Sequence, residues 1–109
     1  MAQSTTKENI EKTIRNILSE ENIRVNRLIL FGSRVRGNYN EMSDWDVLVV
    51  VDRDQTFPEK HTLTTKIQRE LAKLKIPNDI IIKSERQFKE MKDLTGNIVY
   101  YAHKEGSIL

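Results

Sequence analysis

A chain of 109 residues, 38% of them hydrophobic and 31% charged, is long enough for one domain with a modest core and too apolar for a disordered segment. Its net charge of +2 is too balanced to indicate nucleic acid as the partner, and the lack of cysteine excludes disulfide and thiolate chemistry. No apolar run approaches the roughly 18 residues of a membrane span, so we expect a single cytoplasmic domain over residues 1–109.

The first predicted element is an amphipathic helix. Its apolar residues recur at helical spacing with charged residues between them: Ile10, Ile14, Ile17 and Leu18. We expect Ser4, Thr5 or Thr6 to cap its start, and the helix to end near Glu21 or Asn22.

Two strands are predicted next, with a polar segment between them. VNRLILFG predicts a buried strand that closes at Gly32, and residues 33–43 predict a short helical turn followed by a loop. WDVLVVV predicts a second strand that is apolar on both faces. A strand of this kind is expected at the centre of a sheet, with both faces covered.

The rest of the chain predicts three helices and a third strand. A helix opens at Phe57 and ends at Pro77, and its apolar stripe comprises Leu63, Ile67, Leu71 and Leu74. DIIIK predicts the strand, and Ser84 with Gln87 predicts a capped short helix. The last helix should pack through Leu94, Ile98, Tyr101 and Ala102 and end at Gly106. This order predicts an α/β (α+β) fold, with a small mixed sheet of three or more strands covered by helices.

The second strand begins with two carboxylates on one side. Side chains alternate along a strand, so Asp44 and Asp46 point together and Trp45 points away, into the core. Two uncompensated carboxylates at this spacing repel each other, and a divalent cation removes the conflict. Hard oxygen ligands favour Mg²⁺ or Mn²⁺. The alternative is an ordinary turn at the start of a strand.

Three further features extend this pair into a candidate catalytic site. Gly32 allows backbone to approach a ligand closely, and Ser33 stands at a helix start, which favours phosphate. Asp79 opens the third strand and joins the pair if that strand starts at the same end of the sheet. Three carboxylates can hold two metal ions about 3.5 to 4 Å apart. The alternatives are a helix-capping role for Ser33 and a turn role for Asp79.

Two arginines follow the glycine–serine step. Arg34 and Arg36 are candidates for neutralising the phosphates of a nucleoside triphosphate. The alternative is that both lie on a solvated loop.

These motifs resemble those of the DNA polymerase beta superfamily of nucleotidyltransferases, and in particular its minimal nucleotidyltransferases. The resemblance rests on the segments GSRVRG at 32–37 and SDWD at 43–46, and on the later strand that opens with Asp79. It implies transfer of AMP from ATP to an acceptor hydroxyl. It also implies that Gly32 and Ser33 hold the triphosphate, while Asp44, Asp46 and Asp79 bind the metal ions.

The resemblance also implies a partner. Minimal nucleotidyltransferases commonly pair with a small helical HEPN protein, as the antitoxin of a toxin–antitoxin system. We therefore expect an Mg²⁺-dependent adenylyltransferase with a HEPN-type acceptor. Two alternatives stay open: an idle nucleotidyltransferase domain that inhibits by binding alone, and an enzyme that modifies a small molecule.

Overall fold

The computed structural model describes residues 2–109, with side chains described from Thr5 onwards. Its elements are α1 (Ala2–Glu20), β1 (Val25–Phe31), α2 (Ser33–Arg36), β2 (Trp45–Val51), α3 (Phe57–Lys73), β3 (Asn78–Ser84), α4 (Glu85–Met91), α5 (Ile98–Glu105) and β4 (Ser107–Ile108). The predicted order of elements is confirmed up to α5, and β4 is an addition. Within residues 2–109, no helix combines the length and apolar character that a membrane crossing requires.

The strands form one mixed sheet in the order β3-β2-β1-β4. β2 pairs antiparallel with β1 and parallel with β3, and β4 adds to the free edge of β1 in antiparallel fashion. The central position predicted for β2 is therefore confirmed, and so is the α+β fold class. A strand whose two faces are both covered is expected to be apolar on both sides, as β2 is.

Each face of the sheet has its own core. Side chains of β2 alternate between them, so that Val47 and Val49 pack with α1 and α3, whereas Leu48 and Val50 pack with α4 and α5. Trp45 belongs to the first core and is 4% exposed, which confirms that it points into the interior. The side chain of Asp46 consequently lies on the opposite face from Trp45.

The ends of two helices differ from the sequence-based expectation. α1 begins at Ala2, so Thr5 and Thr6 lie inside the helix rather than capping it, and the side chain of Ser4 lies outside the described residues. α3 ends at Lys73, and Leu74 is its C-cap and 48% exposed rather than part of the buried stripe. The positive φ of 63° at Lys75 reverses the chain before Pro77 is reached.

The face predicted for the last helix is confirmed at Ala102 and wrong at Leu94, Ile98 and Tyr101. Leu94 precedes α5, and the side chains of Leu94, Ile98 and Tyr101 are 59%, 42% and 50% exposed. The buried residues of α5 are Val99 and Ala102. The helix starts at Ile98, after Asn97 caps it by accepting a hydrogen bond from the Tyr100 N–H. Gly106 ends it as expected.

Candidate active site

The sheet register brings the glycine turn and two of the predicted carboxylates together. Phe31 pairs with Asp46 across the antiparallel ladder, so Gly32 follows directly beside Asp46. Asp46 pairs in turn with Asp79 across the parallel ladder. Paired residues on neighbouring strands point to the same face of a sheet, so the side chains of Asp46 and Asp79 are neighbours.

Gly32 is packed against the carboxylate of Asp46. Its φ of 79° lies in the left-handed region, which favours glycine. A Cβ atom placed on Gly32 would overlap Oδ2 of Asp46 and fall 3.0 Å from Cγ. The chain can therefore turn at this point only if the residue has no side chain. The atoms nearest to this position belong to Asp46, one of the predicted metal ligands.

Charge accumulates around Asp46. Burial, then the nearby charges of Asp79 and Asp44, raise the pKa of the Asp46 carboxyl above its ordinary value of 3.8, and Arg36 opposes them. Asp46 is half-buried, whereas Asp44 and Asp79 are exposed. The three predicted carboxylates thus share one electrostatic environment, in which each additional negative charge makes the next one more costly.

The start of α2 presents backbone donors at this end of the sheet. Gly32 occupies the N-cap position, and Ser33 is the first helical residue rather than the cap. Val35 and Arg36 both donate to the carbonyl oxygen of Gly32 at 3.1 Å, so the N–H groups of Ser33 and Arg34 precede the first helical hydrogen bonds. N–H groups in this position are available to an acceptor outside the helix.

The two predicted phosphate-binding arginines lie in different places. Arg36 is exposed, and its charge lowers the pKa of Asp46, so its guanidinium lies near that carboxylate. The guanidinium of Arg34 lies 4.6 Å from the ring centroids of both Tyr39 and Trp45. Because Trp45 points to the opposite face from Asp46, the structure does not bring the side chain of Arg34 to the carboxylates.

The donor set suits a hard divalent cation, since its members are carboxylates. Within residues 2–109, however, no three His, Cys, Asp or Glu side chains stand close enough together to hold a metal ion in their present positions. The exposed side chains of Asp44 and Asp79 would have to turn towards Asp46, which costs them no buried contact. The raised pKa of Asp46 is the observation that favours a cation, because a cation would relieve the repulsion that contributes to it.

Sequence reasoning missed the contacts of the loop between α2 and β2. Tyr39 and the carbonyl oxygens of Glu41 and Ser43 surround the Arg34 guanidinium. Two of these partners are backbone atoms, which carry no residue-specific signal. The aromatic residues at 39 and 45 after a basic helical turn were the available hint.

A mixed sheet that sets a glycine turn against an aspartate, with a second aspartate level with it on the next strand, is the arrangement expected of a nucleotidyltransferase. The family model for the nucleotidyltransferase domain matches residues 11–104, and the chain belongs to this family. The predicted superfamily and the predicted class of enzyme, a nucleotidyltransferase, are thereby confirmed.

Two relatives from Methanocaldococcus jannaschii are similar to the chain. "Putative protein adenylyltransferase MJ0141" is 39% identical over 72 residues, which cover 66% of this chain and 66% of the relative. "Putative protein adenylyltransferase MJ0604" is 37% identical over 81 residues, which cover 74% of this chain and 76% of the relative. The match thus spans about two thirds of the first relative's length, and both relatives carry the name of a protein adenylyltransferase.

Proposed function

We propose that this chain is an Mg²⁺-dependent adenylyltransferase that moves AMP from ATP to a hydroxyl group on a protein partner. The acting unit is one nucleotidyltransferase domain that covers residues 1–109. The observation that carries the proposal is the packing of Gly32 against Asp46, since it joins a turn suited to phosphate and a carboxylate suited to a metal ion. The names of the two relatives support a protein as the acceptor.

The reaction assigns a task to each residue. The acceptor oxygen forms a bond to the α-phosphorus of ATP, the bond from that phosphorus to the bridging oxygen breaks, and pyrophosphate leaves with its electron pair. The N–H groups and hydroxyl at Ser33 bind and orient the phosphates, and Arg36 balances their charge. Asp79 takes the proton of the acceptor hydroxyl, as an exposed carboxylate beside the reacting atoms can do.

Asp44, Asp46 and Asp79 would hold the divalent cations. Bound there, Mg²⁺ or Mn²⁺ would supply charge neutralisation for the triphosphate and for the oxygens that gain negative charge during transfer. Without cations the carboxylates would repel the triphosphate, so the triphosphate could lie beside them only when cations are bound.

The proposed partner is a small helical HEPN-type protein, with the chain as its antitoxin. The support is the resemblance to minimal nucleotidyltransferases together with the relatives' names, which call them protein adenylyltransferases. A cytoplasmic location suits both the use of ATP and a chain without cysteine.

We expect ATP to bind measurably only when Mg²⁺ or Mn²⁺ is present. The carboxylates around Asp46 and the triphosphate would otherwise repel each other at close range. Isothermal titration calorimetry with ATP, first with Mg²⁺ and then with excess EDTA, measures this directly. Equal affinity in EDTA would remove the metal ion from the proposal. Adenosine, which carries no phosphate, is the control ligand and should show no dependence on metal.

We expect the product of the neighbouring gene, if it is a short helical protein, to co-elute with this chain and to gain the mass of one AMP when ATP and Mg²⁺ are added. Intact-mass spectrometry measures the gain, and Asp79→Asn is the matched inactive variant. A stable complex without any mass gain would favour the binding-only alternative. Transfer of AMP to a small molecule such as an aminoglycoside, with no modified protein, would contradict a protein acceptor.

A further inference from the structure

The side chain of Arg34 is held in place on all sides. Its central guanidinium carbon lies 4.6 Å from the ring centroids of both Tyr39 and Trp45. A guanidinium over an aromatic face is attracted by the ring, and the attraction grows when one ring is buried, as Trp45 is. Arg34 itself is half-buried. The two rings therefore restrict where the guanidinium can lie.

The guanidinium also donates hydrogen bonds to backbone carbonyl oxygens of the loop before β2. Its Nε and one terminal nitrogen donate to the carbonyl oxygen of Ser43 at 3.2 and 3.0 Å. The same terminal nitrogen donates to the carbonyl oxygen of Glu41 at 3.3 Å. The Ser43 carbonyl belongs to the peptide bond that leads into Asp44, so its direction helps to determine where that carboxylate points.

The loop is built to transmit this constraint. The Ser43 N–H donates to the carbonyl oxygen of Asn40 at 3.0 Å, and the Asn40 N–H donates to the Ser43 hydroxyl at 3.0 Å. Residues 40–43 thus form a turn whose two ends are joined by two hydrogen bonds. After the turn, the Trp45 N–H donates to the carbonyl oxygen of Pro77 at 2.9 Å, which ties the start of β2 to the segment that leads into Asp79.

We propose that Arg34 is a positioning residue that locks the Asp44 peptide to the start of α2, and not a ligand of the triphosphate. Its backbone belongs to the phosphate-binding turn after Gly32, and its side chain grips the loop that carries the first carboxylate. Arg34 thereby sets the distance between the turn after Gly32 and the loop that carries Asp44. The catalytic consequence rests on the proposed function, whereas the lock itself does not.

Lysine cannot replace arginine in this role. Its ammonium group is a compact charge without the planar fork that reaches two carbonyl oxygens while stacking on two rings. A phosphate ligand would tolerate lysine better, since lysine binds phosphate as a point charge. Arg36, two residues later and exposed, is the matched control because it carries the same side chain beside Asp46.

The single tryptophan of the chain reports on the lock without any substrate. In the metal-free protein, Arg34→Met and Arg34→Lys should increase the quenching of Trp45 fluorescence by acrylamide and speed up hydrogen exchange in peptides covering residues 38–46. Arg36→Met should change neither. Mn²⁺ titration should show metal affinity about 10- to 100-fold weaker in both Arg34 variants, the range seen when residues that orient metal ligands are removed. If the Met variant does not fold, the Lys variant carries the test alone.

Unchanged quenching and unchanged hydrogen exchange in a folded Arg34→Lys protein would overturn the lock. A loss confined to ATP affinity, with normal metal affinity, would instead make Arg34 a phosphate ligand. Because fluorescence and hydrogen exchange are measured without ATP, metal or partner, their outcome is separate from the question of whether the chain transfers AMP.

Discussion

Asp46→Asn should abolish AMP transfer and leave the metal-free protein as stable as before, or more stable by about 0.5 to 2 kcal/mol. The amide is a poor ligand for Mg²⁺, so activity disappears. The gain in stability follows from the removal of the Asp46 charge. Burial disfavours this charge, and so do the neighbouring carboxylates of Asp79 and Asp44. Thermal melts in EDTA and a mass-shift assay on the acceptor measure the two effects separately.

The effect on stability should depend on pH. The pKa of Asp46 is higher in the folded chain than its ordinary value of 3.8, so the folded state holds this proton more tightly than the unfolded state does. The free energy of unfolding of the unsubstituted protein therefore falls as pH rises from about 3.8 through the raised pKa, and the full penalty is present at higher pH. Asn does not titrate, so the advantage of Asp46→Asn should grow across that window and stay constant near neutrality.

Asp54→Asn is a control of opposite sign. Hydrogen bonds from Ser84 and then Arg86 lower the pKa of the exposed Asp54 carboxyl. Its contribution to stability is thus present at neutral pH and is lost as pH falls through the lowered pKa. The variant should be less stable at neutral pH and remain active, because Asp54 follows the other end of β2.

A destabilised but active Asp46→Asn protein would contradict the metal-ligand role.

Gly32→Ala should lower both stability and activity by large amounts. The new Cβ would overlap Oδ2 of Asp46, and alanine would have to adopt a φ of 79°. The backbone conformation of Gly32, with φ 79° and ψ −157°, is essentially confined to glycine and costs another residue about 1–3 kcal/mol. An overpacked contact costs about 1–3 kcal/mol more, so we expect a loss of at least about 2 kcal/mol in the free energy of unfolding. Displacing Asp46 by about 1 Å should reduce the rate about 100-fold or more.

Gly37→Ala is a control without the overlap, in a different backbone conformation: φ 90° and ψ 0° at Gly37 against φ 79° and ψ −157° at Gly32. Gly37 also has a left-handed φ, of 90°, but a Cβ there meets nothing within 4 Å. This variant should lose only the conformational cost of about 1–2 kcal/mol. Chemical denaturation of the two variants gives the comparison, and a loss in Gly32→Ala no larger than in Gly37→Ala would contradict the added cost expected at position 32.

A double-mutant cycle tests the contact itself. Asp46→Ala removes the oxygen and Cγ that the Gly32→Ala side chain would meet. In that background the cost of Gly32→Ala should fall to the cost of its backbone conformation alone, which gives a coupling energy of about 0.5–3 kcal/mol between positions 32 and 46. Additive losses would mean that the two residues are not in contact.

The sequence alone determined the elements that carry the site. The run WDVLVVV has no polar face, so β2 was expected at the centre of the sheet. The order of elements and the mixed sheet were predicted from helical and strand periodicity. The sequence also singled out Gly32, Asp46 and Asp79, because a glycine after one strand and carboxylates at the starts of two others are unusual beside buried residues. All of these signals are local and can be read within a few residues.

Tertiary structure decided which neighbours those elements meet. β4 has two residues, too few for a pattern, and it exists because the free edge of β1 can pair with it. In α5, Val99 packs in the same buried cluster as Phe88, so Val99 faces inward where Ile98 was expected. The side chain of Arg34 goes to two rings and two carbonyl oxygens brought together by the loop. Contacts of this kind join residues by position in space, and periodicity along the chain contains no information about them.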